Sequence, residues 1–562
     1  MNTNIVDKSY VSLFERSIKL NWDKSALSDY KMTTLRYQDI ARYIEYIHIV
    51  FEEGGIKPGD KVAICGKNCA HWAITFLATI TYGAVAVPIL HEFKPEQVAN
   101  ILSHSDAKIL AIGDREWKLL QTKLSDLPQL VGVFSLTDYS LLHSVSDELT
   151  FARGHMLELF GRKYPDNFTP NDICYLKQDG DALALINYTS GSTGKSKGVM
   201  LPYRAIWSNV QFVIDEVGDA ISKEGTVLSI LPLAHMYGLA FELLSPMALG
   251  MHTTFLIRMS PTTIFKAFSE IRPTFIVSVP LIIEKFMRRG VIPTMEKKKI
   301  RMLLKLPILQ QKVIERINQR IRDAFGGRFY EVIIGGAAFN HDIEALLTKI
   351  GFNYTVGYGA TECAPLITYI DWKNFIPGSC GVHVPRTDVR ILNPDETGVG
   401  EIICRGDNVM LGYFKNEEET AKAIDADGWY HTGDLGTMDL AGNLYISGRI
   451  KNMLLGPNGQ NIFPEEIEDK LNATPLISES VVIQKDGKLY GLIYLDNDII
   501  TLRGLTDQQI LTQALEDIRK EVNEELPAYE QIVAFKIHNT EFEKTPKKSI
   551  KRFLYFDENI EE

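Results

Sequence analysis

Residues 188–199 read Tyr-Thr-Ser-Gly-Ser-Thr-Gly-Lys-Ser-Lys-Gly-Val and follow the apolar run Ala182-Leu-Ala-Leu-Ile186. A short continuous apolar run marks a strand buried on both faces. A loop of glycines, hydroxyls and two lysines directly after it offers backbone N–H groups, O–H donors and positive charge to a phosphate. The nucleoside-triphosphatase pattern G-x-x-x-x-G-K-[ST] can be laid on Gly194-Lys195-Ser196. It then puts Thr189 where the leading glycine must stand, so the tight backbone wrap of that loop is excluded.

Outward from this loop, apolar runs of the same kind recur between helical segments. They are Lys61-Val-Ala-Ile-Cys65, Lys108-Ile-Leu-Ala-Ile112, Thr226-Val-Leu-Ser-Ile230, Thr274-Phe-Ile-Val-Ser278 and Tyr330-Glu-Val-Ile-Ile334. The pattern predicts an α/β protein with mainly parallel sheets flanked by helices. Residues 72–90 carry no charge and approach the length of a membrane span. Thr75, Thr79, Thr81, Gly83 and Pro88 interrupt them, which predicts instead a buried helix ending near Gly83 and a buried strand over 84–88.

After residue 450 the texture changes. Pro464-Glu-Glu-Ile-Glu468 opens a short helix, and residues 480–483 and 488–495 form a hairpin around Asp486-Gly487. Thr506-Asp-Gln-Gln509 reads as a capping box before a helix whose Leu511, Leu515, Ile518 and Val522 share one face; Pro527 closes it. The expected division is a large domain over 1–450 and a small α+β domain over 451–562.

With 562 residues the chain exceeds one ordinary core, and 45% hydrophobic and 23% charged residues are the composition of a globular protein. A formal charge of -11 excludes nucleic acid as the main partner, which needs a concentrated basic face, while leaving small anionic ligands open. The six cysteines form no metal-ligand spacing and read as small buried residues in a reducing compartment. Residues 1–19 are polar and mixed in charge, unlike a secretory signal, so a cytoplasmic location is expected.

The loop at 188–199 resembles the phosphate loop of the adenylate-forming superfamily, which includes acyl-CoA synthetases, luciferases and peptide-synthetase adenylation domains. Further motifs follow in that family's order over nearly the whole chain: Pro232-Leu-Ala-His235-Met-Tyr-Gly238, Gly335-Gly-Ala-Ala338, Tyr358-Gly-Ala-Thr-Glu362, Gly398-Val-Gly-Glu401 through Gly412-Tyr413, Gly428-Trp-Tyr-His-Thr-Gly-Asp434, and Gly448-Arg-Ile-Lys-Asn452. The resemblance implies roles by position. Thr189, Ser190, Gly191, Ser192, Thr193, Gly194 and Lys197 grip phosphates. His235 lies near nucleotide and acyl carboxylate, and Gly336 and Ala337 line the adenine and acyl pocket. Tyr358 and Gly359 meet the adenine, Thr361 donates to the α-phosphate, and Glu362, with Thr189, ligates Mg²⁺. Asp434 accepts both ribose hydroxyls, Arg449 lies near the ribose, Lys451 is the pivot of the small domain, and Gly459 borders the pantetheine tunnel. The 398–413 segment is similar to a structural hairpin and receives no chemistry.

Those roles imply two half-reactions at one site, with ATP, Mg²⁺ and coenzyme A: a carboxylate is adenylated, then a thiol displaces AMP. The departure lies at Glu543-Lys-Thr-Pro-Lys-Lys-Ser-Ile-Lys-Arg552, where Ser549 stands in the place of the family's lysine before Ile550. Lys548, one place earlier, is the expected substitute, with Lys547 as the other candidate. The 449–468 and 297–329 regions resemble the long-chain fatty acyl-CoA synthetases, so a medium- to long-chain fatty acid is the expected substrate. The basic residues Arg288, Arg289 and 297–301 are read as a solvated helix face, with CoA phosphates or peripheral contact with an anionic membrane surface as the other readings. Two other activities share these motifs: acyl transfer to a carrier-protein thiol, and adenylate binding without turnover if Ser549 disables the site.

Overall fold

The computed structural model describes residues 7–190, 196–257, 259–456, 461–544, 550–556 and 558. An eight-stranded sheet organises the large domain, in the order Gly412–Tyr413, Ser196–Pro202, Leu183–Ser190, Val85–Ile89, Lys61–Cys65, Ala107–Ile112, Gly132–Ser135, Leu141–Ser144. The five strands from Leu183–Ser190 to Gly132–Ser135 run parallel, and the outer ones are antiparallel. Two further sheets carry the remaining expected strands. One joins Thr226–Ser229, His252–Phe255, Ser25–Asp29 and Thr34–Arg36, and the other is a parallel set of Ile276–Ser278, Val332–Ile334 and Tyr354–Val356. The architecture is α/β, but the sheets are mixed rather than mainly parallel. Thr387–Leu392, Gly400–Gly406, Tyr430–Met438 and Leu444–Arg449 form a wholly antiparallel sheet.

The uncharged 72–90 stretch folds as helix Ala70–Tyr82 followed by strand Val85–Ile89, both buried. Its threonines satisfy their hydroxyls locally: Thr75 Oγ1 donates to His71 O at 2.7 Å, Thr79 Oγ1 to Thr75 O at 2.8 Å and Thr81 Oγ1 to Leu77 O at 2.6 Å. Burial of Trp72, Ile74, Phe76, Leu77 and Ile80 contributes about 1.5–3 kcal/mol each. Gly83 ends the helix at φ +83, and a Cβ there would fall 2.5 Å from the Gln178 amide. Among the described residues no helix is long and apolar enough to cross a membrane.

In the C-terminal domain, helices Pro464–Ala473 and Gln508–Glu524 accompany a three-stranded sheet of Ile477–Lys485, Lys488–Leu495 and Ile532–Ile537. Its core, from Ile462, Ile467 and Leu471 to Val522 and Ile532, is drawn from this domain alone. Asp486 and Gly487 both take positive φ, as the two-residue hairpin requires. The long helix is capped by Asp507, whose carboxylate accepts from Gln509 N and Ile510 N, and not by Thr506. Both residues are cap formers, and the shorter reach to two N–H groups favours the aspartate.

Candidate active site

The chain folds back on itself at the glycine-rich segment: Leu183–Ser190 pairs antiparallel with Ser196–Pro202, placing Thr189 opposite Lys197 and Ser190 opposite Ser196. Gly191, Ser192, Thr193 and Gly194, which join these strands, lie outside the described residues, as do Gly459 and Lys548; Ser190 is described by its backbone. Thr189 and Lys197 both line a cleft of about 2020 Å³ between the two domains. The Lys197 ammonium pairs with Glu419 and lies 4.9 Å from the Tyr413 ring centroid. Its hydrogen bond, with that from Lys422, pulls the Glu419 carboxyl down to about 2.

The antiparallel sheet delivers the acid. Asp434 is 6% exposed, on strand Tyr430–Met438, and accepts from the Tyr358 hydroxyl at 2.6 Å. Its other oxygen pairs with Arg449 Nε at 3.0 Å, the two residues standing opposite each other in the sheet. Burial raises the Asp434 pKa, and the Arg449 charge and the Tyr358 hydrogen bond oppose that rise. The approach is braced by Thr432, which donates to Ile402 O at 2.6 Å and accepts from Asp434 N at 3.0 Å. An acid held this way presents acceptors for a vicinal diol.

Tyr358, Gly359, Thr361 and Glu362 line the same cleft. Gly359 is required by a close approach, since a Cβ there would stand 2.1 Å from the Pro365 carbonyl oxygen. Glu362 accepts from the Tyr413 hydroxyl at 3.0 Å, and its own carbonyl accepts from Met410 N at 2.8 Å. The 412–413 segment, to which the sequence assigned no chemistry, therefore reaches Glu362. No motif signals this contact, because the two residues are 51 apart in the chain. No group of three or more His, Cys, Asp or Glu among the described residues is placed to cage a metal. One hard carboxylate, Glu362, in a cleft shared with Thr189 and Lys197 suits Mg²⁺, which keeps waters and takes phosphate oxygens.

His235, Gly336 and Ala337 complete the large-domain wall. The turn carrying His235 is gripped by three side chains absent from the sequence reading. Asn68 donates to Leu231 O at 2.6 Å and accepts from Leu233 N at 2.9 Å. Asn187 donates to Ala234 O at 2.9 Å. The fully buried Glu242 accepts from Ser229 Oγ at 2.8 Å and from Ile230 N and Leu231 N. Burial, opposed by those hydrogen bonds, pushes its carboxyl up to about 8.

Across the cleft stand Arg449, Lys451 and, from the C-terminal domain, Ile550 to Phe553. Partial burial and the charges of Arg449 and Lys197 lower the Lys451 pKa. The described residues on either side of 545–549 are held together: Lys544 bridges Ile550, Lys551 N donates to Glu543 O at 2.8 Å, and Arg552 Nη1 pairs with Glu468 at 2.7 Å. Arg288 is not turned to solvent as read from sequence. Its guanidinium donates to Asn472 O at 2.9 Å and Ala473 O at 3.2 Å, the C-terminal carbonyls of helix Pro464–Ala473. Arg289, Lys297, Lys298, Lys299 and Arg301 are exposed.

Thr189, Lys197, Asp434, Glu362 and residues of the C-terminal domain thus face one cleft, and the comparisons with known proteins give the family. The model of the AMP-binding enzyme family matches residues 14–414 and that of the AMP-binding enzyme C-terminal domain matches residues 452–561. The chain belongs to the AMP-binding enzyme family. A relative in Bacillus subtilis (strain 168), long-chain-fatty-acid–CoA ligase, is 28% identical over 488 residues, covering 82% of this chain and 80% of that protein. Human long-chain-fatty-acid–CoA ligase ACSBG2 is 26% identical over 467 residues, 78% and 68% of the two chains. Among solved structures, ATP-bound MatB from Rhodopseudomonas palustris has a TM-score of 0.75 at 20% identity, over 97% of this chain and 98% of that one. o-Succinylbenzoate CoA synthetase of Bacillus subtilis, in complex with its acyl-adenylate intermediate, gives 0.73 at 20% identity, over 98% and 99%. These structures share the fold.

Proposed function

We propose that this protein joins a medium- to long-chain fatty acid to coenzyme A at the expense of ATP, through an acyl adenylate. The observation that carries the reading is the meeting of Asp434, Tyr358 and Arg449 with Glu362, Lys197 and Thr189 in one cleft. The substrate class is supported by the relatives named as long-chain-fatty-acid–CoA ligases.

In the first half-reaction a carboxylate oxygen attacks the α-phosphorus of ATP, the bond to the β-phosphate oxygen breaks, and pyrophosphate leaves. Asp434 accepts the ribose hydroxyls, Tyr358 stacks on adenine, Thr361 donates to the α-phosphate, and His235 orients the acyl carboxylate against it. Positioning and charge neutralisation supply the rate, not covalent catalysis by the protein. Glu362, its hydroxyl partner Tyr413 behind it, would hold Mg²⁺, which when bound offsets phosphate charge. Lys548 supplies positive charge to the α-phosphate in place of the absent lysine at 549. In the second half-reaction the domain over 451–562 turns at Lys451, and the CoA thiol enters beside Gly459. Its sulfur attacks the acyl carbon, the bond to AMP breaks, and the thiol proton is released.

The test is AMP release from ATP and Mg²⁺ across a fatty-acid chain-length series, with and without CoA. AMP and acyl-CoA formed together only when acid and CoA are both present support the ligase. Turnover with an acyl carrier protein and none with CoA overturns the acceptor, and ATP binding without any AMP release overturns the enzyme. Lys548→Ala is expected to slow adenylate formation by roughly 10²–10³, the cost of one aligned donor; an unchanged rate assigns that role elsewhere.

A further inference from the structure

We propose that a second cavity, remote from the cleft, binds the alkyl chain and carboxylate of an unesterified aliphatic acid. This site stands apart from the catalytic reading and does not depend on it.

The cavity has a volume of about 250 Å³ and lies at the other edge of the central sheet, over Ala107–Ile112 and Gly132–Ser135. Helices Tyr37–Glu53 and Met156–Lys163 roof it, and Val50, Phe51, Ile109, Phe134 and Met156 make its walls. It shares no lining residue with the cleft. An apolar cavity of ~150 Å³ stays dry and takes up benzene, so this one is large enough for a chain of about eight to ten carbons.

The mouth supplies the second half of the recognition. Arg153 lines it, on helix Asp147–Gly154, and Nε donates to Tyr139 O at 2.7 Å, which fixes the plane of the guanidinium. Among the described residues Arg153 makes no other hydrogen bond and no ion pair, which leaves the paired Nη groups for a carboxylate fork. The neighbouring Asp138, which also lines the cavity, accepts from Ser140 N at 2.9 Å, and its pKa is lowered by the Ser140 hydrogen bonds and, among lesser influences, by the Arg153 charge. Leu157 lies at the rim, 67% exposed, apolar surface that a chain entering the cavity covers. A guanidinium with an open fork over an apolar chamber selects an amphiphile with one anionic end. A phosphate lacks the chain, and an alkane lacks the head.

Equilibrium dialysis of radiolabelled decanoate against the full chain, without ATP, Mg²⁺ or CoA, tests the site, with 1-decanol as the uncharged probe of equal length. The expected result is a decanoate site lost, or weakened at least tenfold, in both Arg153→Gln and Leu157→Glu, with decanol binding unchanged in Arg153→Gln. Shortening the acid from ten carbons to six is expected to weaken binding at this site by about fourfold per methylene. Leu157→Glu changes an exposed position and carries the test if Arg153→Gln disturbs the fold. Decanoate binding identical in the native protein and both variants overturns the proposal. So does a decanol site that weakens together with the decanoate site in Arg153→Gln. Failure of the catalytic reading would appear separately, as absence of AMP release.

Discussion

Arg288→Ala is expected to loosen the C-terminal domain from the large one. The guanidinium makes two hydrogen bonds, at 2.9 and 3.2 Å, to the last carbonyls of helix Pro464–Ala473. A hydrogen bond to a charged group contributes roughly 1.5–3 kcal/mol, and a cation at a helix C-terminus about 0.3–1 kcal/mol. Arg288 is half-exposed, and water replaces part of what is lost, so the net is about 1–3 kcal/mol for the contact. At about 1.4 kcal/mol per decade, undocked molecules become roughly 5- to 150-fold more frequent. The junction between the domains offers its own reporter, because Arg449 and Lys451 are tryptic sites. When opening is faster than cleavage, the cutting rate follows the open population. Tryptic cleavage after Arg449 and Lys451 should therefore accelerate by that factor in Arg288→Ala, while Arg289→Ala, one residue on and exposed, leaves it unchanged. A cleavage rate in Arg288→Ala within twofold of the native protein refutes the latch.

Tyr413→Phe removes the hydroxyl that donates to Glu362 while keeping the ring under Lys197. A loss of about 1.5–3 kcal/mol predicts a fall in kcat/KM of roughly 10- to 150-fold, read by AMP release at several Mg²⁺ concentrations; a change under twofold removes Tyr413 from the machinery. Glu242 has its folded pKa raised from 4.5 to about 8 by burial. Below about 4.5 it is neutral in both states. Between there and about 8 the unfolded chain gives up the proton that the folded one keeps, so the stability this group contributes is lost as pH rises through that window. Glu242→Gln cannot ionise, so its melting temperature relative to the native protein should climb between pH 5 and pH 8.5; a constant or falling difference contradicts the raised pKa.

Much of the fold is legible locally. Lys61–Cys65 is a strand at both expected ends because an apolar run between polar breaks can only be buried from both sides. Of residues 274–278 only Ile276–Ser278 form the regular strand, although Thr274 N still donates to Thr226 O at 2.9 Å and Phe275 bridges Val227. The mixed character of the sheets depends on which strands become neighbours, and residue order carries little of that. The same limit governs the site. Gly359, Glu362 and Asp434 stand out because each belongs to a contiguous motif. Tyr413 acts on Glu362, and Asn68 and Glu242 on the turn carrying His235, from outside those motifs, and each looks like an ordinary polar residue where it stands. Arg288 shows the ambiguity of charge: a pair of arginines is equally consistent with solvent, phosphate or lipid, and its partner lies 184 residues away.

The strand Gly412–Tyr413 pairs with Ser196–Pro202 and closes one border of the central sheet. During translation that border waits: Pro202 leaves the ribosome 210 residues before Gly412, on the order of 10–40 s at common elongation rates. Through that interval a row of unpaired backbone groups stands open beside the glycine-rich loop, a template for mispairing with another nascent chain. Point changes at 412 or 413 that weaken this pairing would thus be felt first as lost yield from the cell, before any purified enzyme was assayed.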